Sequence, residues 1–126
     1  MRILIVDDED NIRFVLKYNL ELDGHTILEA RNGEEALNLV KEKPDAILLD
    51  VMMPVMNGLE VCQTLKGNPD TKETPIIMLT AKSQLIDIED AFRAGADDYL
   101  TKPFEPDEIS AKIVAKVEKI LKARSE

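Results

Sequence analysis

Five side chains spread along this 126-residue chain could together do metal and phosphoryl chemistry: Asp7 and Asp8 (followed by Glu9 and Asp10), Asp50, Thr80, and Lys102 just before Pro103. Carboxylates brought together repel and raise one another's pKa unless a cation is supplied. Mg2+ suits such a group, because it takes hard oxygen ligands and keeps waters and phosphate oxygens in its shell. A carboxylate can also attack phosphorus and form an acyl phosphate. Phosphoryl transfer then asks the protein mainly for positioning and charge neutralisation, which a lysine and a hydroxyl beside the metal would supply.

For that chemistry the fold must bring these positions together. Five short apolar runs read as strands: Ile3–Val6, Thr26–Ala30, Ala46–Leu49, Ile76–Leu79 and, weakest, Tyr99-Leu100. The first, third and fourth are apolar at successive positions, as strands covered by helices on both faces are. Helical stripes lie between and after them. Ile12, Val15, Leu16 and Leu20 form the first, stopped at Asp23-Gly24; Asn32 caps one carrying Ala36, Leu37 and Val40, closed by Pro44. Leu59, Cys62 and Leu65 form a third, ended near Gly67-Asn68, and Leu85, Ile88 and Phe92 a fourth, stopped at Gly95. Ile109, Ile113, Val117 and Ile120 follow Pro106, a residue suited to a first turn. Five βα units in succession imply an α/β fold with a parallel sheet and helices on both faces. Ligands of such sheets bind beyond the carboxyl ends of the strands. Asp7-Asp8, Asp50, Thr80 and Lys102-Pro103 all fall at those ends.

Each residue also has a purely structural reading. Asp7 to Asn11 could cap a helix and match its dipole. Asp50 could be a turn residue ahead of Pro54 and Asn57-Gly58, Thr80 a helix cap, Lys102 a solvated lysine and Pro103 a strand terminator. What these readings leave unexplained is the joint arrival of the residues at one rim.

Composition narrows the function classes. With 25 Asp+Glu against 16 Lys+Arg the chain has a net charge of −9, the opposite of the basic footprint of nucleic-acid binding. The single Cys62 can form neither an internal disulfide nor a four-cysteine zinc site. No apolar run approaches the roughly 18 residues of a membrane span, and Ile3–Val6 is too short for a signal-peptide core. The expectation is one cytoplasmic domain over 1–126 that contacts neither nucleic acid nor membrane.

The fragments Ile3-Leu4-Ile5-Val6-Asp7-Asp8-Glu9, Leu48-Leu49-Asp50-Val51-Met52-Met53-Pro54, Asn57-Gly58, Leu79-Thr80-Ala81 and Gly95 through Phe104 occur in this order at specific spacing. Together they resemble the receiver domain of two-component response regulators over essentially the whole chain. The resemblance implies a doubly wound, flavodoxin-like (βα)5 fold with strand order 2-1-3-4-5. It makes Asp50 the phosphoacceptor, supplied by a sensor histidine kinase or a phosphotransfer protein. Mg2+ would be held by Asp8 and Asp50 directly, by Asp7 largely through a water, and by the Met52 backbone carbonyl. Lys102 would pair with a phosphoryl oxygen across a cis Lys102-Pro103 bond. Thr80 would hydrogen-bond the phosphoryl group, and Tyr99 would swing inward as Thr80 moves. The surface of the fourth helix, fifth strand and fifth helix would then change towards a downstream effector or an output domain C-terminal to this segment.

By the same resemblance, Met52 and Lys82 flank the approach of attacking water and tune phosphate loss. Because Met52 cannot orient a water, a long-lived phosphorylated form is expected. Receivers joined to winged-helix domains dimerise through basic residues of the fourth helix. Here Ile88-Glu89-Asp90, with Asp97 and Asp98, offers acids, so a monomer or a weak phosphorylation-dependent dimer is expected. Kinase pairing falls to the first helix, including Phe14 and Tyr18. His25 reads as an ordinary surface residue, and Cys62 as a small apolar one.

Two other classes compete. Asp8-Glu9-Asp10 superficially matches the D-x-D of haloacid-dehalogenase-type phosphohydrolases, but that reading leaves Asp50 without a role and meets Asn11 where a hydroxyl or apolar residue belongs. A flavin carrier would need a Ser/Thr/Gly-rich phosphate loop after the first strand, where this chain has acids.

Overall fold

The computed structural model describes residues 1–53, 57–81 and 85–125, with the backbone alone for 85–87. Its elements alternate: β1 (Arg2–Val6), α1 (Asp10–Leu22), β2 (Thr26–Ala30), α2 (Gly33–Leu39) with a 3-10 turn at Val40–Glu42, β3 (Ala46–Asp50), α3 (Gly58–Lys66), β4 (Ile76–Ala81), α4 (Leu85–Arg93), β5 (Asp98–Lys102) and α5 (Pro106–Ser125). The strands form one parallel sheet in the order β2-β1-β3-β4-β5, as the resemblance implies.

Alternation along each strand divides the core in two. Leu4, Val6, Ile47, Leu49, Ile76 and Met78 point to the face covered by α2, α3 and α4, against Ala36, Val61, Cys62, Leu65 and Ala91. Ile3, Ile5, Leu48, Ile77 and Leu79 point to the other face, against Leu16 and Leu20 of α1 and Ile109, Ile113 and Val117 of α5. Both faces of β1, β3 and β4 are therefore dry, which is why their sequences are apolar without a gap. Burial of each such side chain contributes roughly 1.5–3 kcal/mol before conformational entropy is subtracted. Among the described residues, no helix is long and apolar enough to cross a membrane.

Local stops and caps form largely where the sequence places them. The Asn32 side chain accepts from the Glu35 N–H at the start of α2, and Asn57 accepts from the Glu60 N–H at the start of α3. Gly24 (φ 89°) and Gly95 (φ 104°) take left-handed conformations just after α1 and α4, where a side chain would be strained. Three expectations need correction. Phe92 stays 47% exposed, because it packs edge-on to Tyr99 at the margin of the sheet and not beneath it. His25 is half-buried and its Nδ1 meets the Met1 ammonium at 3.0 Å. The N-cap of α1 is Glu9, whose side chain makes no capping bond, so of the structural reading of Asp7 to Asn11 only the dipole match remains, with Asp10 in the first turn.

Candidate functional site

The carboxyl ends of the strands gather the acids and the lysine. Asp7 follows β1, Asp50 ends β3 and Lys102 ends β5. Asp7 is fully buried and Asp50 is 4% exposed. Lys102 reaches between them, its Nζ 3.0 Å from Asp7 Oδ2 and 3.5 Å from Asp50 Oδ1, with Glu9 Oε1 at 3.9 Å. The Lys102-Pro103 peptide is cis. Asp7 Oδ1 accepts from the Glu9 N–H at 2.9 Å, and Asp50 Oδ1 accepts from the Met52 N–H at 3.3 Å. These loops therefore close on the acids themselves, so Asp50 is partly the turn residue its context suggests. The contacts recorded among the described residues, from the Met52 N–H and Lys102, fall on Asp50 Oδ1 and none falls on Oδ2.

Carboxylate oxygens of Asp7, Asp8 and Asp50 lie within 4.8 Å of one another, and Asp8 is exposed. Three hard oxygen donors this close, two of them buried, fit a small divalent cation open to water on one side. Burial foremost, then the charges of Asp7 and Asp8, pushes the Asp50 carboxyl up to about 7 against the opposing pull of Lys102 and the Met52 N–H. Burial lowers the Lys102 ammonium, but its bond to Asp7 and the charges of Asp50, Asp7 and Glu9 outweigh that and raise it. The pair is thus a cation clamped between acids that still carry excess negative potential.

This has a consequence for stability. In metal-free buffer the neutral Asp50 carboxyl is favoured by folding. Stability from this group is complete below about pH 4 and lost as pH rises to about 7, on the order of 4 kcal/mol at full ionisation. Denaturant unfolding of the wild type and Asp50→Asn in EDTA should show the two coinciding near pH 4 and the variant pulling ahead by pH 8. A constant difference across that range would contradict the buried-charge account.

Thr80, next along β4, is 1% exposed, and its hydroxyl has no hydrogen-bond partner among the described residues. It does not cap α4, which begins five residues later. A buried orphan hydroxyl costs about 1–3 kcal/mol, so its presence at this rim fits a ligand oxygen there. Tyr99 is half-buried on β5, edge-on to Phe92 (centroids 6.1 Å apart), with Lys116 Nζ 5.8 Å from its ring centre. Met52 is 58% exposed beside Asp50. Lys82 and Pro54 lie outside the described residues.

Three features escape a reading of the sequence alone. Arg13 is buried beneath the acids and donates to the Asp7 main-chain carbonyl. It follows the buried stripe of α1 at i, i+3 and i+7 with Leu16 and Leu20, which was the available signal. Gly58 sits against the backbone of Asp50, where a methyl group would lie 2.0 Å from the Asp50 carbonyl oxygen. The acids expected to make the output face negative are largely neutralised: Glu89 and Asp90 pair with Arg93, Asp98 with Lys116, and Asp97 with Lys66 and Arg124.

Comparison with known proteins agrees with this arrangement. The sequence profile described as "Response regulator receiver domain" matches residues 3–114. The chain is 48% identical over 115 residues to the alkaline phosphatase synthesis transcriptional regulatory protein PhoP of Bacillus subtilis (strain 168), covering 90% of this chain and 47% of that protein. It is 49% identical over 114 residues to the transcriptional regulatory protein SrrA of Staphylococcus aureus (strain NCTC 8325 / PS 47), covering 90% of this chain and 46% of that one. The chain thus spans about half the length of these relatives. The chemotaxis protein CheY4 of Vibrio cholerae superposes with a TM-score of 0.84 at 33% identity, over 92% of this chain and 97% of that structure. The phosphohydrolase reading finds no support in these matches. The chain belongs to the response regulator receiver domain family.

Proposed function

We propose that this domain is a phosphorylation switch in which Asp50 accepts a phosphoryl group from the phosphohistidine of a sensor histidine kinase or phosphotransfer protein. The observation that carries this reading is the buried Asp50 carboxylate, grouped with Asp7 and Asp8, touched by Lys102, and sharing its rim with the orphan hydroxyl of Thr80. Asp7, Asp8, Asp50 and the Met52 carbonyl would hold Mg2+, which when bound draws charge from the transferring phosphoryl oxygens. Asp50 Oδ2 attacks phosphorus, the P–N bond breaks, and the leaving imidazole keeps the electron pair. Lys102 bridges Asp7 and Asp50, offsetting their mutual repulsion, and is positioned to meet a phosphoryl oxygen. Thr80 then gains the acceptor it lacks, and Tyr99 on the neighbouring strand moves inward. New charge at one point thereby biases a two-state surface made of α4, β5 and α5.

Incubation with acetyl phosphate tests this. Mg2+-dependent uptake, abolished by EDTA and released by hydroxylamine as an acyl phosphate would be, is expected. Multiple turnover of a generic phosphomonoester would instead restore the phosphohydrolase.

The surfaces agree with two docking roles. On the outer side of α1, Phe14, Tyr18 and Leu22 are exposed one turn apart, and Phe14 and Tyr18 stack at 6.2 Å; this apolar strip would receive the kinase. Tyr99, Phe104, Lys112, Lys116 and Lys119 line a groove between β5 and α5 that would meet a downstream effector or an output domain. The whole 1–126 segment would act as the receiver unit, in the cytoplasm, with no activity beyond its own phosphorylation and slow dephosphorylation. Exposed Met52 offers no polar atom to an attacking water, so the phosphorylated form should persist. Met52→Asn together with Lys82→Glu should hasten phosphate loss several-fold, measured as decay of labelled protein after the donor is removed; an unchanged decay would remove these positions from rate control.

A further inference from the structure

Arg13 is only 7% exposed, and its guanidinium ties three elements together. Nη1 donates to the main-chain carbonyl of Asp7 at 2.7 Å, Nε donates to Glu29 Oε1 on β2 at 3.3 Å, and Nη2 pairs with Asp10 in the first turn of α1. Burying a guanidinium costs several kcal/mol unless its donors are used, and here all three nitrogens are. The carbonyl it grips belongs to the peptide that joins Asp7 to Asp8. Asp8 is exposed and its side chain bonds to no other described residue, so only its backbone directs it. Its carboxylate nonetheless lies within 4.8 Å of those of Asp7 and Asp50.

We infer that Arg13 is a positioning residue for the cation site: by fixing the plane of the Asp7–Asp8 peptide it aims the Asp8 carboxylate at Asp7 and Asp50. This rests on the Mg2+ site proposed above. Charge and geometry make opposite demands here. As a positive charge behind three carboxylates, Arg13 opposes a second cation, so its removal would tighten Mg2+ binding if charge alone mattered. As a fork that orients a ligand, its removal must weaken binding, as loss of groups behind metal ligands does by about tenfold or more. The sign of the change therefore identifies the role.

The experiment is calorimetric Mg2+ titration of the wild type, Arg13→Gln, Arg13→Lys and Glu29→Gln, each checked for folding by thermal unfolding in EDTA. Arg13→Gln should bind about tenfold more weakly, and Glu29→Gln, which keeps an acceptor but removes the charge that holds one side of the fork, roughly twofold to threefold more weakly. Arg13→Lys should recover part of the loss, because an ammonium can reach the Asp7 carbonyl without spanning to Glu29. Folded Arg13→Gln with equal or tighter binding overturns the inference and leaves Arg13 a structural residue. If Arg13→Gln does not fold, unchanged affinity in Glu29→Gln overturns it instead. A wild type that binds no Mg2+ would sink the cation site itself, a separate result from a site that binds but ignores Arg13.

Discussion

Asp50→Asn is expected to reduce phosphate uptake from acetyl phosphate to background, on the order of 100-fold or more below the wild type, while leaving the fold intact and more stable in metal-free buffer at pH 8. Of the three clustered acids, Asp50 has the best combination of nucleophilicity and access. Both Asp7 oxygens are engaged, one by the Glu9 N–H and the other by Lys102. Asp8 is exposed, and no lysine among the described residues pairs with it to receive developing charge. Asp50 has Oδ1 anchored by the Met52 N–H and faced by Lys102, with Oδ2 left to attack. A carboxyl held at about 7 is also more basic, hence a stronger nucleophile once ionised, than a solvated aspartate. Asparagine keeps the shape and can still accept from the Met52 N–H, but its amide is not a useful nucleophile. Mg2+ affinity should fall too, since one of three anionic ligands is lost. Loss of uptake is the discriminating result: a buried aspartate with no part in the transfer would show the gain in stability but not the loss of uptake. Retention of wild-type uptake would move the phosphoryl group elsewhere and defeat the central reading.

What the sequence makes legible here follows from where water is excluded. The strands β1, β3 and β4 are dry on both faces, so their uninterrupted apolar runs identify them at once. β5 is an edge strand in which only Leu100 is buried, and its polar neighbours hide all but the Tyr99-Leu100 pair. Phe92 fits the period of α4 but sits at the margin, where a helical stripe turns partly to solvent. The acids at the strand ends are readable because parallel topology carries every strand's C-terminus to one rim. Contacts at long sequence separation leave no such trace. Asp97 accepts from the Ile76 N–H, Lys66 and Arg124, at separations of 21, 31 and 27 residues. Nothing local distinguishes it from a solvated acid. Arg13 is hidden for a different reason: arginine is ordinarily read as surface, although its spacing to Leu16 and Leu20 puts it on the buried side.

Gly58→Ala is expected to destabilise the domain by about 3 kcal/mol, a fall in Tm on the order of 10 °C, and to impair phosphate uptake in whatever fraction remains folded. Gly58 does not carry a positive φ, so the demand is steric and not conformational. It is the first residue of α3, its N–H donates to the Val51 carbonyl at 2.9 Å, and it brings the helix against the chain leaving β3. An added methyl would lie 2.0 Å from the Asp50 carbonyl oxygen, 2.9 Å from its carbon and 3.0 Å from the Val51 Cα. All three are backbone atoms, so no rotamer change relieves the clash. Either α3 slides outward, loosening Val61, Cys62 and Leu65 from the sheet, or the Asp50–Val51 backbone shifts and carries the proposed phosphoacceptor with it. Both routes damage something the domain needs, one in packing and one in the geometry of the site. Gly67→Ala is the matched control: its methyl would meet a carbonyl oxygen at 3.3 Å at the end of the same helix, a contact a small adjustment relieves, so it should stay within about 1 kcal/mol of wild type. If Gly58→Ala melted within a few degrees of wild type and took up phosphate normally, the close approach of α3 to Asp50 would be slack. The role of Gly58 would then reduce to that of an ordinary residue after a helix cap.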